Sequence, residues 1–357
     1  MKIIHCSDVH LDSRLESNLS SAQARERNAE ICATFGRMVR YAVDNEVRVV
    51  MIAGDLFDTQ RVSARTADYV LDQIRRASCV DFLYLRGNHD EKENVFAGMD
   101  LPGNFKQFGS GWTSYRYEDV VISGLELDDE NCLNMYDVLN LSGADTNIVM
   151  LHGQEATQPG REQIAIPLLR NRNIRYLALG HIHSYQVSDL DMDGVYCYCG
   201  CLEGRGFDEC GEKGFVLLEA GEGRVRSHFV PFASRRLETV PVDISDKITV
   251  SQIQSAMESA AAGLPASAMV KFTLTGTYTP QTQKDLPFLR KMLESRFWFV
   301  KISDESRLYI DKSSYEHDVS LKGEFIRMVM ASDAGEEEKE QIILCGLRAL
   351  AGEEVAL

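Results

Sequence analysis

Residues 174–183 read IRYLALGHIH: an apolar run, a glycine, then two histidines one residue apart. A run of this length, rich in Leu and Tyr and stopped by Gly180, reads as a buried β-strand. His181 and His183 would then lie just past its carboxyl end. Two readings are open for such a pair. Either the rings only close a strand, satisfied by nearby carbonyls, or they are ligands.

The same arrangement recurs on both sides. KIIHCSD (2–8), VRVVMIAGD (47–55), VDFLYLRGNHD (80–90), VVISGLEL (120–127) and NIVMLHG (147–153) are short apolar runs ending in turn or ligand-type residues. Between the first two, Ile31, Phe35, Met38, Val39 and Ala42 fall on one helical face, and after Ser63 a second helix buries Val70, Leu71 and Ile74. Alternating strands and helices imply a sheet covered by helices. From about residue 185 short strands follow: GVYCYCGC (194–201), KGFVLLEA (213–220), RVRSHFVPF (224–232) and RRLETVPVDI (235–244). The expected fold is α/β, a four-layer α/β/β/α sandwich of two sheets with helices outside.

Near residue 246 the pattern changes. TVSQIQSAMESAAAG (249–263), AMVKFTLTGTY (268–278), QKDLPFLRKMLESRF (283–297) and WFVKISDES (298–306) predict helix, strand, helix, strand. They suggest a small α+β cap domain at 239–320 beside a catalytic domain at 1–238. GEFIRMVMAS and EEEKEQIILCGLRALAG predict terminal helices in a segment 321–357, where Glu336 to Glu338 suit a helix start. Ile342, Ile343, Leu347 and Leu350 form an apolar stripe, suited to a partner or to packing on the cap.

Bulk properties narrow the class. A chain of 357 residues exceeds what one core usually fills. No apolar run has membrane length, and MKIIHCSDVH has no signal-peptide pattern, so a cytoplasmic protein is expected. Nine cysteines, an odd number without an export signal, point to reduced thiols. Cys197, Cys199 and Cys201 alternate along a strand face, as buried thiols do, and lack the spacing of a zinc site. The net charge of −16 excludes a surface that grips phosphate backbones everywhere and predicts weak intrinsic DNA affinity. A polyanion must meet local positive charge, which bound metal ions can supply.

The strand ends now combine. Asp8 and His10, Asp55, Asn88 and His89, His152, and His181 with His183 all follow predicted strands, so five of the eight histidines lie at such strand ends. Residues past the carboxyl ends of strands in an α/β sheet converge on one crevice. Convergence of imidazole, carboxylate and amide without thiolate reads as metal binding and suits Mn²⁺, Fe²⁺ or Zn²⁺. Asp55 can bridge two ions, a pairing suited to phosphate ester hydrolysis.

These elements, D-x-H, G-D-x-x-D, G-N-H-D, a separate His and G-H-x-H, resemble the signature of the calcineurin-like metallophosphoesterase superfamily. The resemblance implies one divalent ion on Asp8, His10, Asp55 and His183, and a second on Asp55, Asn88, His152 and His181. It implies that His89 steadies the transition state or protonates the leaving oxygen.

HCSDVHLDS (5–13), YLALGHIHSYQ (176–186) and YCGCLEGRGFDECGEKGFVLLE (198–219) are similar to the bacterial SbcD-type DNA repair nucleases. That resemblance implies a Mn²⁺-dependent exonuclease and endonuclease subunit that dimerises, a cap that helps recognise DNA, and terminal helices docking on an SbcC-like, SMC-type ATPase. Two positions depart from the wider pattern: Asp12 stands where a Gly is common, and Asp58 where archaeal members carry His. The segment between Asn88 and His152 is short. Two alternatives are a phosphodiesterase or phosphatase for nucleotides or other small phosphate esters, and a regulatory scaffold of the ATPase with structural metals.

Among softer candidates, Arg205 sits in a glycine-rich turn from which it can reach a phosphate. Arg170, Arg172, Arg175, Arg235 and Arg236 form basic clusters that suit solvated faces or phosphate contact. His5 reads as a buried neighbour of the site, and Trp112 and Trp298 make no stacking stripe.

Overall fold

A computed structural model describes residues 1–15, 19–58, 62–89, 95–279, 281–309, 315 and 317–350. The chain forms two compact units, Met1–Leu237 and Glu238–Leu357.

The first unit is mixed α/β. Its strands are β1 (Lys2–Cys6), β2 (Val49–Ala53), β3 (Asp81–Leu85), β4 (Phe105–Gln107), β5 (Thr113–Tyr117), β6 (Val120–Gly124), β7 (Thr146–His152), β8 (Gln154–Ala156), β9 (Gln163–Ala165), β10 (Ile174–Gly180), β11 (Gln186–Asp189), β12 (Val195–Tyr198), β13 (Gly214–Gly221) and β14 (Arg224–Pro231). They make two six-stranded sheets, in the orders β14-β13-β1-β2-β3-β4 and β11-β12-β10-β7-β6-β5, and a small β8-β9 pair. In the first sheet β1 to β4 run parallel and β13 is antiparallel to β1. In the second, β12, β10, β7 and β6 run parallel between antiparallel edges β11 and β5.

The two sheets share one core. Ile3, Met51, Ala53 and Leu83 from the first meet Ile122, Met150, Tyr176 and Ala178 from the second. Strands buried on both faces explain the unbroken apolar runs, since parallel sheets have no solvated side on which to alternate. α1 (Ser21–Asp44) starts with a Ser20–Gln23 capping box and buries Ile31, Phe35, Met38, Val39 and Ala42, the face read from its periodicity. α2 (Ala64–Arg76), capped by Ser63, buries Val70, Leu71 and Ile74. On the second sheet the helices are two single turns, α3 (Met135–Val138) and α4 (Ile166–Leu169), which pack with Val149, Leu151, Leu177 and Leu179.

The second unit holds a three-stranded sheet, β15 (Leu237–Asp243), β16 (Met269–Thr275) and β18 (Phe299–Asp304), with α5 (Val250–Ala260) and α6 (Leu286–Glu294). Its core joins Val242, Ile253, Met257, Phe272, Leu289 and Val300. RRLETVPVDI, expected in the sandwich, is therefore corrected: Val242 and Ile244 are buried in this second core, and the strand pairs here. A short pair, β17 (Thr277–Tyr278) and β19 (Arg307–Leu308), lies beside α7 (Leu321–Met330) and α8 (Glu336–Leu350). Ile343 of the expected stripe is buried with Leu308, Ile326 and Val329, whereas Ile342 and Leu350 are exposed. Residues 351–357 of the proposed docking segment lie outside the described residues.

Candidate metal centre

The loops leaving β1 and β2 continue side by side. Asp8 N donates to Gly54 O (3.1 Å), His10 N to Asp55 O (3.0 Å) and Leu11 N to Leu56 O (3.0 Å). Asp8, His10 and Asp55 hold φ of 51°, 49° and 50°, and His181 has 96°, a region non-glycine residues rarely enter. Such strain is kept where surrounding structure demands one side-chain direction. The ends of the two sheets also close on each other. A Cβ on Gly180 would stand 1.9 Å from Ala53 O, and one on Gly54 2.0 Å from His152 Nδ1, so only glycine permits this approach.

All seven expected ligands meet here. His10 Nε2 and His183 Nε2 are 3.2 Å apart. Asp8 Oδ1 lies 3.9 Å from the first and 3.5 Å from the second. His152 Nε2 lies 3.0 Å from Asn88 Oδ1, and His181 Nδ1 3.2 Å from the same oxygen. Asp55 Oδ2 belongs to both groups, 3.8 Å from His10 Nε2 and 3.4 Å from His152 Nε2. Its other oxygen accepts the His89 backbone N–H (2.9 Å), which turns Oδ2 inward.

The outer contacts orient these rings. His10 Nδ1 faces Asp58 Oδ1 at 3.1 Å, His183 Nδ1 faces Glu209 Oε1 at 2.7 Å, and His152 Nδ1 donates to Ala53 O at 2.9 Å. With the ring proton on each Nδ1, the Nε2 lone pairs of His10 and His183 face each other and Asp8, and that of His152 faces Asn88 and Asp55. That donor set fits divalent cations in the gaps, and without them a proton must take their place between the rings and the carboxylates. Asp8 and Asp55 are 0% and 1% exposed, and the ion pairs they make among the described residues are with histidines. Burial opposes charge on His152 and His183, yet Asp55 raises His152 to about 10, and Asp8 with Glu209 raises His183 to about 9. The pocket thus draws in positive charge.

Asp58 stands out in the sequence only as a departure, and its part in the site is not apparent there. It lies 3.0 Å from His89 Nδ1 as well as 3.1 Å from His10 Nδ1, and accepts from Ser13 Oγ at 2.5 Å. His89 itself is 43% exposed at the side chain, above the cluster. Its pKa is raised, first by Asp58 and against burial. Glu209 is likewise absent from the sequence reading; its signal is an acid inside the EGRGFDE turn. Arg205 reaches the site wall with its charge engaged: Nη2 donates to Glu209 Oε1 (2.7 Å) and Nη1 lies 3.2 Å from Asp58 Oδ1. Asp12, the other departure, takes the glycine-like φ of 62° and ties down the start of α2, accepting from Ser63 N (2.9 Å) and Thr66 Oγ1 (2.8 Å). Asp90, last of the GNHD motif, lies outside the described residues.

The softer candidates stand apart from the cluster. Arg235 pairs with Glu30 and Glu26, and Arg175 with Asp193 at 3.1 Å. His5 is wholly buried, its Nδ1 2.9 Å from Tyr176 Oη, where burial pushes it down to about 3. Cys197, Cys199 and Cys201 are buried free thiols.

A model of the calcineurin-like phosphoesterase family matches residues 1–185, a span that contains all seven ligand candidates. The chain belongs to the calcineurin-like phosphoesterase family. Members of this metallophosphoesterase family are hydrolases, and the fold uses a dinuclear metal site. The phosphoesterase is 25% identical over 339 residues to YhaO, an uncharacterized metallophosphoesterase of Bacillus subtilis, covering 86% of this chain and 82% of that one. It is 23% identical to the SbcD component of the SbcCD nuclease of Escherichia coli across the full length of both chains. Against the DNA double-strand break repair protein Mre11 of Aeropyrum pernix it is 24% identical over 271 residues, 69% of this chain and 64% of that relative. Among the described residues no helix is long and apolar enough to cross a membrane.

Proposed function

We propose that this phosphoesterase is the nuclease subunit of a cytoplasmic DNA repair machine, a Mn²⁺-dependent exonuclease and endonuclease working with an SbcC-like ATPase. The observation that carries the metal chemistry is Asp55 Oδ2, shared between His10 Nε2 and His152 Nε2. One position would be held by Asp8, His10, Asp55 and His183, the other by Asp55, Asn88, His152 and His181. Divalent ions held by these residues would supply the positive charge that neutralises phosphate oxygens and lowers the pKa of an attacking water.

The chain's own groups do the rest. His89, anchored through Nδ1 by Asp58, presents its exposed edge to the leaving oxygen and gives it a proton. Arg205 braces Asp58 and Glu209 and would place its positive charge beside a bound phosphate. Residues 239–320 act as a cap that helps seat DNA, and 321–357 as the ATPase docking segment of a homodimer. The resemblance to SbcD and Mre11 supports this assignment.

A second reading follows from the net charge of −16, which favours a small phosphodiester or nucleotide over a polyanion. Mn²⁺-dependent cleavage of an end-labelled DNA duplex, beside a small aryl phosphodiester, decides between them. His89→Ala and EDTA are the controls. Shortening from the ends that both controls stop supports the nuclease; cleavage of the small ester alone, with or without added ATPase, supports the second reading.

A further inference from the structure

We propose that the buried Arg27–Glu203 ion pair, remote in sequence from every ligand, is a positioning device that sets the loop supporting His183 and His10. The proposal rests on the metal reading above. α1 supplies no ligand, yet it carries a fully buried arginine on its inner face. Arg27 Nη2 donates to Glu203 and to Gly204 O (2.9 Å), and Nη1 to Glu30 Oε2 (2.9 Å). Glu203, 1% exposed, also accepts from Thr34 Oγ1 (2.6 Å) and Ser234 N (2.5 Å). The start of the 203–209 loop is thus held to α1 by several charge-assisted bonds.

Support passes along that loop to the centre. Arg205 N donates to Glu209 Oε2 at 2.7 Å, and Glu209 Oε1 faces His183 Nδ1 at 2.7 Å. Arg205 Nη1 meets Asp58, which faces both His10 and His89. The loop has little slack, since a Cβ on Gly204 would lie 2.9 Å from Glu209 O. A shift of residues 203 and 204 therefore moves the carboxylate behind one ligand and the cation behind the partner of another.

Stability alone is a poor reason for such a pair, because buried ion pairs can often be replaced by uncharged side chains without loss. Geometry is the better one, as groups behind metal ligands tune affinity. The paired variant Arg27→Met/Glu203→Gln removes both charges while keeping an acceptor for Thr34 and Ser234. In EDTA its melting temperature should stay near wild type, while the ring ¹⁵N chemical shifts of His183 should move as its Nδ1 contact with Glu209 is displaced. Calorimetric titration with Mn²⁺ should show one of two positions weakened roughly tenfold.

Wild-type Mn²⁺ binding and an unchanged His183 signal in the variant would overturn the proposal. If the wild type takes up no Mn²⁺, the metal reading fails, and the His183 signal in EDTA still decides the positioning role. Should the paired variant not fold, Arg27→Lys keeps the buried charge but cannot span Glu203 and Gly204 O, and serves for the same comparison.

Discussion

His10 and His183 turn the same ring atom toward each other, with Nε2 atoms 3.2 Å apart, while each Nδ1 faces a carboxylate. Cations between such rings should stabilise the fold. Mn²⁺ at about a hundredfold excess over its dissociation constant is expected to add about 2.7 kcal/mol. EDTA should remove this gain and lower Tm by roughly 5–10 °C in calorimetry. An unchanged Tm on adding Mn²⁺ counts against a metal centre.

Asp58 and His89 should act as a unit. His89→Ala is expected to reduce kcat by roughly 10²–10⁴. Asp58→Asn should cost about as much alone, yet only a small part of it in the His89→Ala background, because it acts largely through that ring. Additive losses in the double-mutant cycle would place Asp58 on His10 alone.

Acid should loosen the attachment of α1. Burial would raise Glu30, but Arg235 and Arg27 outweigh it and hold its carboxyl below the ordinary 4.5. A carboxyl lowered in the folded state stabilises above its unfolded pKa and loses that contribution as pH falls through the folded value. Wild type should therefore lose more stability than Glu30→Gln as pH falls from above the ordinary carboxylate range to below it, measured by urea unfolding. Equal losses would show that the pair is idle.

Ile343 tests the terminal helices. It is 1% exposed and packs with Leu308, Ile326 and Val329. Ile343→Ala is expected to destabilise the second unit by about 2–5 kcal/mol, whereas Ile342→Ala, at a 37% exposed position, should change little. Equal small effects would mean that α8 does not dock as described.

The ligand candidates were legible because each follows a strand whose apolar run is unmistakable, and parallel order sends those ends to one place. The groups behind them were not. Glu209 acts from an irregular turn with no periodicity, where only Arg205 stood out, and Arg27 lies on a helical face where a buried charge makes sense only once Glu203, 176 residues away, is seen beside it. The place of β15 is not legible, because its alternation suits either sheet and only burial of Val242 and Ile244 decides. The exposed edge strand β11 carries little strand signal at all.

The ligand candidates come from β1, β2 and β3 of one sheet and β7 and β10 of the other, with Gly54 and Gly180 at the seam. Neither half of the sandwich owns the site. A slip of a few ångströms between the halves would unmake both positions together, so the ligand cluster is also the clasp that registers whether the sandwich is shut. Any ion taken up there reports on assembly of the whole unit as much as on chemistry.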